Sequence, residues 1–306
     1  MQTTINTTQC NDALDLVTRF VSKHATLPIL ENIYLNASID SLTLKGTDME
    51  KHIQLSIPAT VNQEGSITVN AKTFQNIIKT IDGDEIELVA GSDDSLTIKS
   101  ATDTFTIKGI SSSEYVALPE VQGDKSNIID TNTLINGISK IEYTISEKNF
   151  SPVLTGLLVR VQDDENAKII FAGSDSFRLA EYKSPIIGSH TPCTVIIPKT
   201  NIVDLQKVFE YQHEHGGEEV TIRFSDNMIA FICPTDMGEV LATSLLIQGK
   251  FPDYNNEAII PTQYKTSVIV DKDQLDKAIR KILILTRDIN NYLLIKTTDN
   301  KLTITS

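Results

Sequence analysis

The sequence predicts an α+β chain of tandem like domains, each an antiparallel sheet with two helices on one face, with a third copy that is incomplete. Three observations predict it. First, an aliphatic residue is followed five positions later by an apolar triplet at helix spacing in three places. Ile5 precedes Cys10, Leu14 and Val17; Ile129 precedes Leu134, Ile138 and Ile141; Val270 precedes Leu275, Ile279 and Ile282. Residues i, i+4 and i+7 share one helical face, so each set reads as a short strand feeding an amphipathic helix. Second, the copies are spaced by the length of a domain, which excludes a short solenoid repeat. Third, alternating runs such as Thr104-Phe105-Thr106-Ile107-Lys108 and Glu219-Val220-Thr221-Ile222-Arg223-Phe224 close the first two copies as half-buried antiparallel strands.

The elements between follow in the same order. Pro28-Ile29-Leu30 with Ile33 and Leu35 aligns with Pro152-Val153-Leu154 with Leu157 and Val159, each a strand entered through a proline. Leu42-Thr43-Leu44 and Ile169-Ile170-Phe171 are the next strands, ending in the glycine-led turns Gly46-Thr47-Asp48 and Gly173-Ser174-Asp175. A second strand and helix begin at Val69-Asn70-Ala71-Lys72-Thr73 and at Ile196-Ile197-Pro198-Lys199-Thr200, with Ile78 and Ile81 matching Leu205 and Val208. The third copy supplies a strand at Ser267 to Val270, the helix from Leu275, and strands at Tyr292-Leu293-Leu294-Ile295 and Leu302-Thr303-Ile304. Periodicity lapses from Leu118 to Asn127, around Pro119 and Gly123, and from Phe251 to Thr266. The domains are therefore about 1–122, 127–253 and 266–306.

Composition narrows the function. The chain has 306 residues, 40% hydrophobic content and a net charge of −13, which by itself argues against a nucleic-acid binder. Cys10, Cys193 and Cys233 have no CxxC spacing, and Cys10 occupies an apolar helix position, as a buried thiol in a reducing cytoplasm would. There is no signal-peptide pattern and no run of transmembrane length. His213-Glu214-His215 is the only local histidine pair; it reads as a polar turn, since two ligands fall short of the three or four that zinc needs. Ser174-Asp175-Ser176 lacks the glycine spacing of a nucleophile elbow, and neither a Walker A motif nor GxGxxG is present. Acidic runs such as Asp163-Asp164-Glu165 read as solvated turns. Asp48 and Asp175 occupy equivalent turns, which suits capping aspartates; a hydrolase using one of them is the competing enzymatic reading, and a plain scaffold is another.

Binding is the remaining class. Lys72 and Lys199 each open the second helix of their copy, Lys23 and His24 precede the Pro28 run, and Lys148 precedes the Pro152 run. If the helices of each copy lie on one side, these charges share a surface that could hold a phosphate backbone without reading bases. The repeat leaves both that surface and scattered surface lysines open.

Four segments carry a family resemblance. Thr26-Leu27-Pro28-Ile29-Leu30-Glu31-Asn32-Ile33, Thr47-Asp48-Met49-Glu50, Gly173-Ser174-Asp175-Ser176-Phe177-Arg178-Leu179-Ala180 and Gly249-Lys250-Phe251-Pro252-Asp253-Tyr254 resemble the bacterial sliding-clamp family, the β subunit of DNA polymerase III. The order and spacing agree along the whole chain. The resemblance implies tandem DNA-clamp domains, two subunits closed head to tail around double-stranded DNA, no catalysis and no cofactor or metal. It implies DNA contacts at His24, where the family often has an arginine, and at Lys72, Lys148, Lys199 and Lys250. It implies a groove for short linear motifs of DNA polymerase III, the clamp loader and translesion polymerases, formed by Leu154, Ser174, Ser176, Phe177, Arg178, Leu179, Pro252 and Ile259. Ser176 and Phe177 depart from a usual glycine and histidine, and both add bulk. Phe105 and Ile107 match one side of the homodimer ring interface, and Ile284 and Leu285 match the other. In the family the strand that pairs with the first-domain edge lies just beyond the position of Ser306, so the expectation for this chain is that the normal closed ring does not form.

Overall fold

The computed structural model describes every residue except 24, 118–120, 122–125, 149–150, 163–166, 187–189, 257–258, 287–292, 299–300 and 306, and only the backbone at 285–286. His24, residues 118–120 and 122–125 of the first linker, the Asp163-Asp164-Glu165 run, Tyr292 and the side chain of Leu285 therefore lie outside the described residues. Two compact bodies divide the chain, Met1–Phe251 and Pro252–Ser306.

The first body contains both full copies. Copy one runs β1 (Gln2–Asn6), α1 (Thr7–Val17), β2 (Asn32–Ser38), β3 (Ser41–Thr47), β4 (Lys51–Gln63), β5 (Gly65–Asn70), α2 (Ala71–Thr80), β6 (Glu85–Ala90), β7 (Ser95–Lys99) and β8 (Thr104–Ile110). Copy two repeats the order with β9 (Ser126–Asp130), α3 (Thr131–Ile141), β10 (Gly156–Gln162), β11 (Lys168–Ser174), β12 (Leu179–Pro185), β13 (Cys193–Pro198), α4 (Lys199–Glu214), β14 (Glu219–Phe224), β15 (Met228–Thr235) and β16 (Gly238–Leu245). The helices start where short polar side chains satisfy free backbone N–H groups. Asn6 Oδ1 accepts from Gln9 N at 3.0 Å, Asn70 Oδ1 from Thr73 N at 3.0 Å and Asp130 Oδ1 from Thr133 N at 2.8 Å. The triplets face inward as their spacing predicts: Cys10, Leu14, Val17, Leu134, Ile138 and Ile141 are all buried in one hydrophobic core. Ile78 is buried too, but Ile81 falls one residue past the end of α2.

The strand pairing repeats as well. In copy two the orders are β12-β11-β10-β13 and β16-β15-β14-β9; copy one has β4-β3-β2-β5 and β8-β7-β6-β1. The copies join through β4 and β16, antiparallel with Leu55 opposite Val240 and Ile53 opposite Ala242. An edge strand of one sheet in copy one thus continues a sheet of copy two. This is a head-to-tail contact between like units.

Three local expectations are corrected. The proline runs are single 3₁₀ turns, Pro28–Glu31 and Pro152–Thr155, and the strands start only at Asn32 and Gly156. Gly46 and Gly173 lie within strands; the residues with left-handed backbone are Met49 and Ser176, both at φ 77°. His213 and Glu214 form the last turn of α4 rather than a loop, with His215 as its C-cap stacked on Tyr211 at 4.1 Å.

The second body holds α5 (Lys272–Thr286) and the hairpin β17 (Leu294–Thr298) and β18 (Lys301–Thr305). Ser267 to Val270 is not a strand, because among the described residues no partner strand pairs with it. Leu275, Ile279 and Ile282 are half-buried, and Ile269 is 99% exposed.

Candidate nucleic-acid interface and partner-binding turn

α1 packs on α2, α3 on α4, and α1 meets α4, so the helices of both copies occupy one side of the first body. Lys72 is the second residue of α2 and Lys199 the first of α4. A helix N-terminus favours negative charge, so neither lysine is placed there by helix stability. α4 also lacks a side-chain cap, because Pro198 stands at that position. The Lys199 ammonium instead donates to the Ile145 carbonyl at 3.1 Å, reaching the loop that carries Lys148. In copy one, Lys72 lines a crevice with Lys23, on the loop leaving α1. Each copy thus brings the lysine opening its second helix to the loop that leaves its first. Lys250 is exposed and follows Gly249, where a β-carbon would come within 2.7 Å of Val153.

Most other cations on this side are compensated. Lys79 pairs with Asp15 at 2.6 Å, Lys207 with Glu210 at 2.5 Å and Arg19 with Asp204 at 3.7 Å, and Lys140 lies over the Tyr182 ring at 4.4 Å. Lys51 pairs with Asp204 at 2.5 Å and with Asp48 at 3.6 Å. Among the described residues Lys23, Lys72, Lys148, Lys199 and Lys250 have no carboxylate partner. These are the positions that the repeat and the resemblance single out; the compensated Arg19, Lys51, Lys79, Lys140 and Lys207 were missed, and of their pairings only those three residues apart, Lys207 with Glu210 and Lys51 with Asp48, could be read from spacing.

The β11–β12 turn is closed by its own hydrogen bonds. Asp175 Oδ1 accepts from Phe177 N and Arg178 N, both at 3.0 Å, and its Oδ2 accepts from Arg178 Nε at 3.0 Å. Ser174 Oγ donates to the Arg178 carbonyl at 2.9 Å and accepts from Ser176 N at 3.2 Å. Burial opposes the charge of Asp175, but the two backbone N–H groups and Arg178 outweigh it and hold the carboxyl below the usual carboxylate range. The turn has a twin in copy one. Asp48 Oδ1 accepts from Glu50 N at 3.0 Å and Lys51 N at 2.9 Å, and Thr47 Oγ1 donates to the Lys51 carbonyl at 3.2 Å. Both aspartates spend their oxygens on local donors, so neither is placed as a catalytic base. Among the described residues no group of three His, Cys, Asp or Glu side chains could hold a metal ion.

Beside the turn, Leu154 is buried yet outside the main core cluster, and its carbonyl accepts from Ser146 N at 3.2 Å. Leu179 is half-buried, while Ser176 and Phe177 are exposed, so the added bulk of Phe177 projects into solvent. Arg178 lies over the Tyr143 ring at 5.5 Å, a contact that sequence reading missed. Pro252 and Ile259 are exposed residues of the second body, as is Ile284 of α5. Phe105 and Ile107 are half-buried on β8 of copy one. Thr104 to Lys108 pairs with β7; toward β5 only Gly109 and Ile110 are bonded, which leaves one edge of that stretch without a partner strand among the described residues.

The comparisons with known proteins follow this geometry. The family model for the N-terminal domain of the DNA polymerase III beta subunit matches residues 1–119, and that for its central domain matches residues 128–253. The beta sliding clamp of Staphylococcus aureus is 29% identical over 308 residues, 98% of this chain and 77% of that protein. The DNA polymerase sliding clamp from Bacillus subtilis has a similar structure, with a TM-score of 0.89 at 27% identity over 99% of this chain and 80% of that one. A sliding clamp from Pseudomonas aeruginosa, solved bound to griselimycin, matches with a TM-score of 0.89 at 25% identity over 99% and 79% of the two chains.

Proposed function

Since the chain belongs to the DNA polymerase III beta-subunit family, as a DNA sliding clamp without catalytic activity of its own, we propose that its helix-bearing side holds duplex DNA through Lys72, Lys148, Lys199 and Lys250. The Ser174–Arg178 turn, with Leu154 and Leu179 beside it, receives short linear motifs of DNA polymerase III, the clamp loader and translesion polymerases. The β8 edge with Phe105 and Ile107 is assigned to a second copy, and Ile284 and Leu285 of α5 to the same homodimer contact. A cytoplasmic location goes with these partners.

One observation carries the DNA reading: Lys23 and Lys72 of copy one, left uncompensated on the helical side, recur at equivalent places of copy two as Lys148 and Lys199. Such lysines would touch phosphates without reading bases, which suits a protein that must slide. The test is fluorescence anisotropy with two duplexes of unrelated sequence across a salt series. Four phosphate contacts would give a log–log salt slope of about −3.6. Weak and equal binding to both duplexes is expected, and the combined Lys72→Glu and Lys199→Glu variant is expected to weaken both equally and to flatten the slope by roughly 2. Binding that depends on base sequence, or that is unchanged in the variant, would contradict the assignment.

A further inference from the structure

The turn that carries the partner site has an internal control in its copy-one twin. The two turns share backbone, hydrogen bonds and the left-handed third residue, but differ in what they present. At the fourth position copy one has Glu50, a solvated charge, and copy two has Phe177, 97% exposed. At the fifth position copy one has Lys51, whose side chain is 9% exposed and turned onto Asp204. Copy two has Arg178, whose side chain is 58% exposed and lies on Tyr143, itself 59% exposed. The fold of the turn therefore requires neither an outward aromatic ring nor an outward cation.

From this we infer that Phe177, Arg178 and Tyr143 form an aromatic and cationic ledge that selects a linear peptide carrying an aromatic side chain next to a carboxylate. The inference rests on the groove reading above and adds Tyr143, which lies outside the residues that the resemblance assigns. The chemistry follows from each group. The backbone of Phe177 is held by its N–H bond to Asp175, so ordering the ring against a partner ring fixes only its own two side-chain torsions. Aromatic pairs favour offset or edge contacts beyond simple burial. The Arg178 guanidinium uses Nε on Asp175, and its two Nη groups have no protein partner among the described residues. Those groups can receive a carboxylate, while stacking on Tyr143 fixes the plane in which they are offered. Tyr143 is thus a positioning residue for Arg178.

The test uses the full chain and three labelled peptides with the same leucine anchor, ending in Phe-Asp, Leu-Asp or Phe-Asn and amidated at the C-terminus so that the Asp side chain is the only carboxylate beside the ring. Wild type is expected to bind the Phe-Asp peptide about tenfold more tightly than the Leu-Asp peptide, and several-fold more tightly than the Phe-Asn peptide. In Phe177→Ser the ring preference is expected to fall to within about twofold, with melting unchanged because the side chain is exposed. In Tyr143→Ala the carboxylate preference is expected to shrink, and in Tyr143→Phe to return, since only the ring face is used. Leu154→Asp is expected to abolish binding of all three peptides. If Leu154→Asp binds normally, or wild type binds none of them, the groove reading fails and the ledge with it. If Leu154→Asp abolishes binding but both preferences persist in Phe177→Ser and Tyr143→Ala, the groove stands and the ledge is overturned. Self-association of the chain that is lost in Phe177→Ser, with no ring preference, would assign the surface to a second copy instead.

Discussion

Gly46 and Gly173 mark the same place in the two copies, and the sequence reads them as turn formers. In the fold each is a strand residue crowded by the first helix of its copy. A β-carbon at Gly46 would lie 2.9 Å from the Val17 carbonyl oxygen, and one at Gly173 would lie 2.8 Å from Ile141 Cγ2. The glycine was legible, but its reason depends on a helix far away in the chain. Asp48 and Asp175 are the opposite case, since their hydrogen bonds reach only two and three residues ahead and so were readable as caps. His52 follows the twin turn in copy one and is buried, with its Nδ1 hydrogen-bonded to the Thr47 hydroxyl. Burial lowers its pKa from the ordinary 6.5, and Asp48 opposes this in part. Below about 6.5 the unfolded chain therefore binds the proton that the folded chain resists, so stability rises with pH through that window and is lost as pH falls. Melting temperature is expected to be level above about pH 7 and to decline toward pH 5, with a shallower decline in His52→Gln. Parallel pH profiles for the two proteins would exclude His52 as the cause.

At the scale of elements, the helices were legible and the strand entries were not. A helix announces itself through periodicity and through a capping side chain within the next three residues, as at Asn6, Asn70 and Asp130. Proline fixes φ but leaves ψ free, so Pro28 and Pro152 fit a strand or a 3₁₀ turn equally well. The choice is made by loop hydrogen bonds, Ser22 N to the Leu30 carbonyl at 3.0 Å and Ser146 N to the Leu154 carbonyl at 3.2 Å. Ser267 to Val270 has the composition of β1 and β9 but no described partner strand, and a strand is stable only when paired. The tie between β4 and α4 is likewise tertiary. Lys51 and Asp204 have side chains only 9% and 16% exposed, and Arg19 adds a weaker contact. Lys51→Ala leaves the Asp204 carboxylate with Arg19 alone, and is expected to cost about 2–4 kcal/mol in urea unfolding. The double variant Lys51→Met with Asp204→Leu is expected to recover most of that loss, because the two least exposed charges are removed together and Arg19, which also loses Asp204, is 42% exposed. Additive losses in the double variant would show that the pair is not coupled.

At the scale of the whole molecule, the two bodies differ in how much core they own. The first buries the apolar faces of four helices, whereas among the described residues of the second only Tyr254 is fully buried. Segments with few buried contacts open at low free-energy cost. Limited proteolysis is expected to cut between about residues 255 and 271 first, and to leave a product ending there whose melting matches that of the intact chain. Early cleavage inside β4 or β16 would contradict this. Local pattern is enough for the order of helices and strands in the first two copies, the duplication, the inward faces of their first helices and the aspartate turns. Each of these is written in periodicity, in the repeat of that pattern, or in hydrogen bonds spanning a few residues. Which lysines stay uncompensated, which glycines admit a helix and which strand edges lack a neighbour are settled by contacts across the fold. Lys79 meets Asp15, Lys51 meets Asp204 and β4 meets β16 across long stretches of chain. These ion pairs and strand pairings join neighbours in space that are distant in the chain, so no local pattern could contain them.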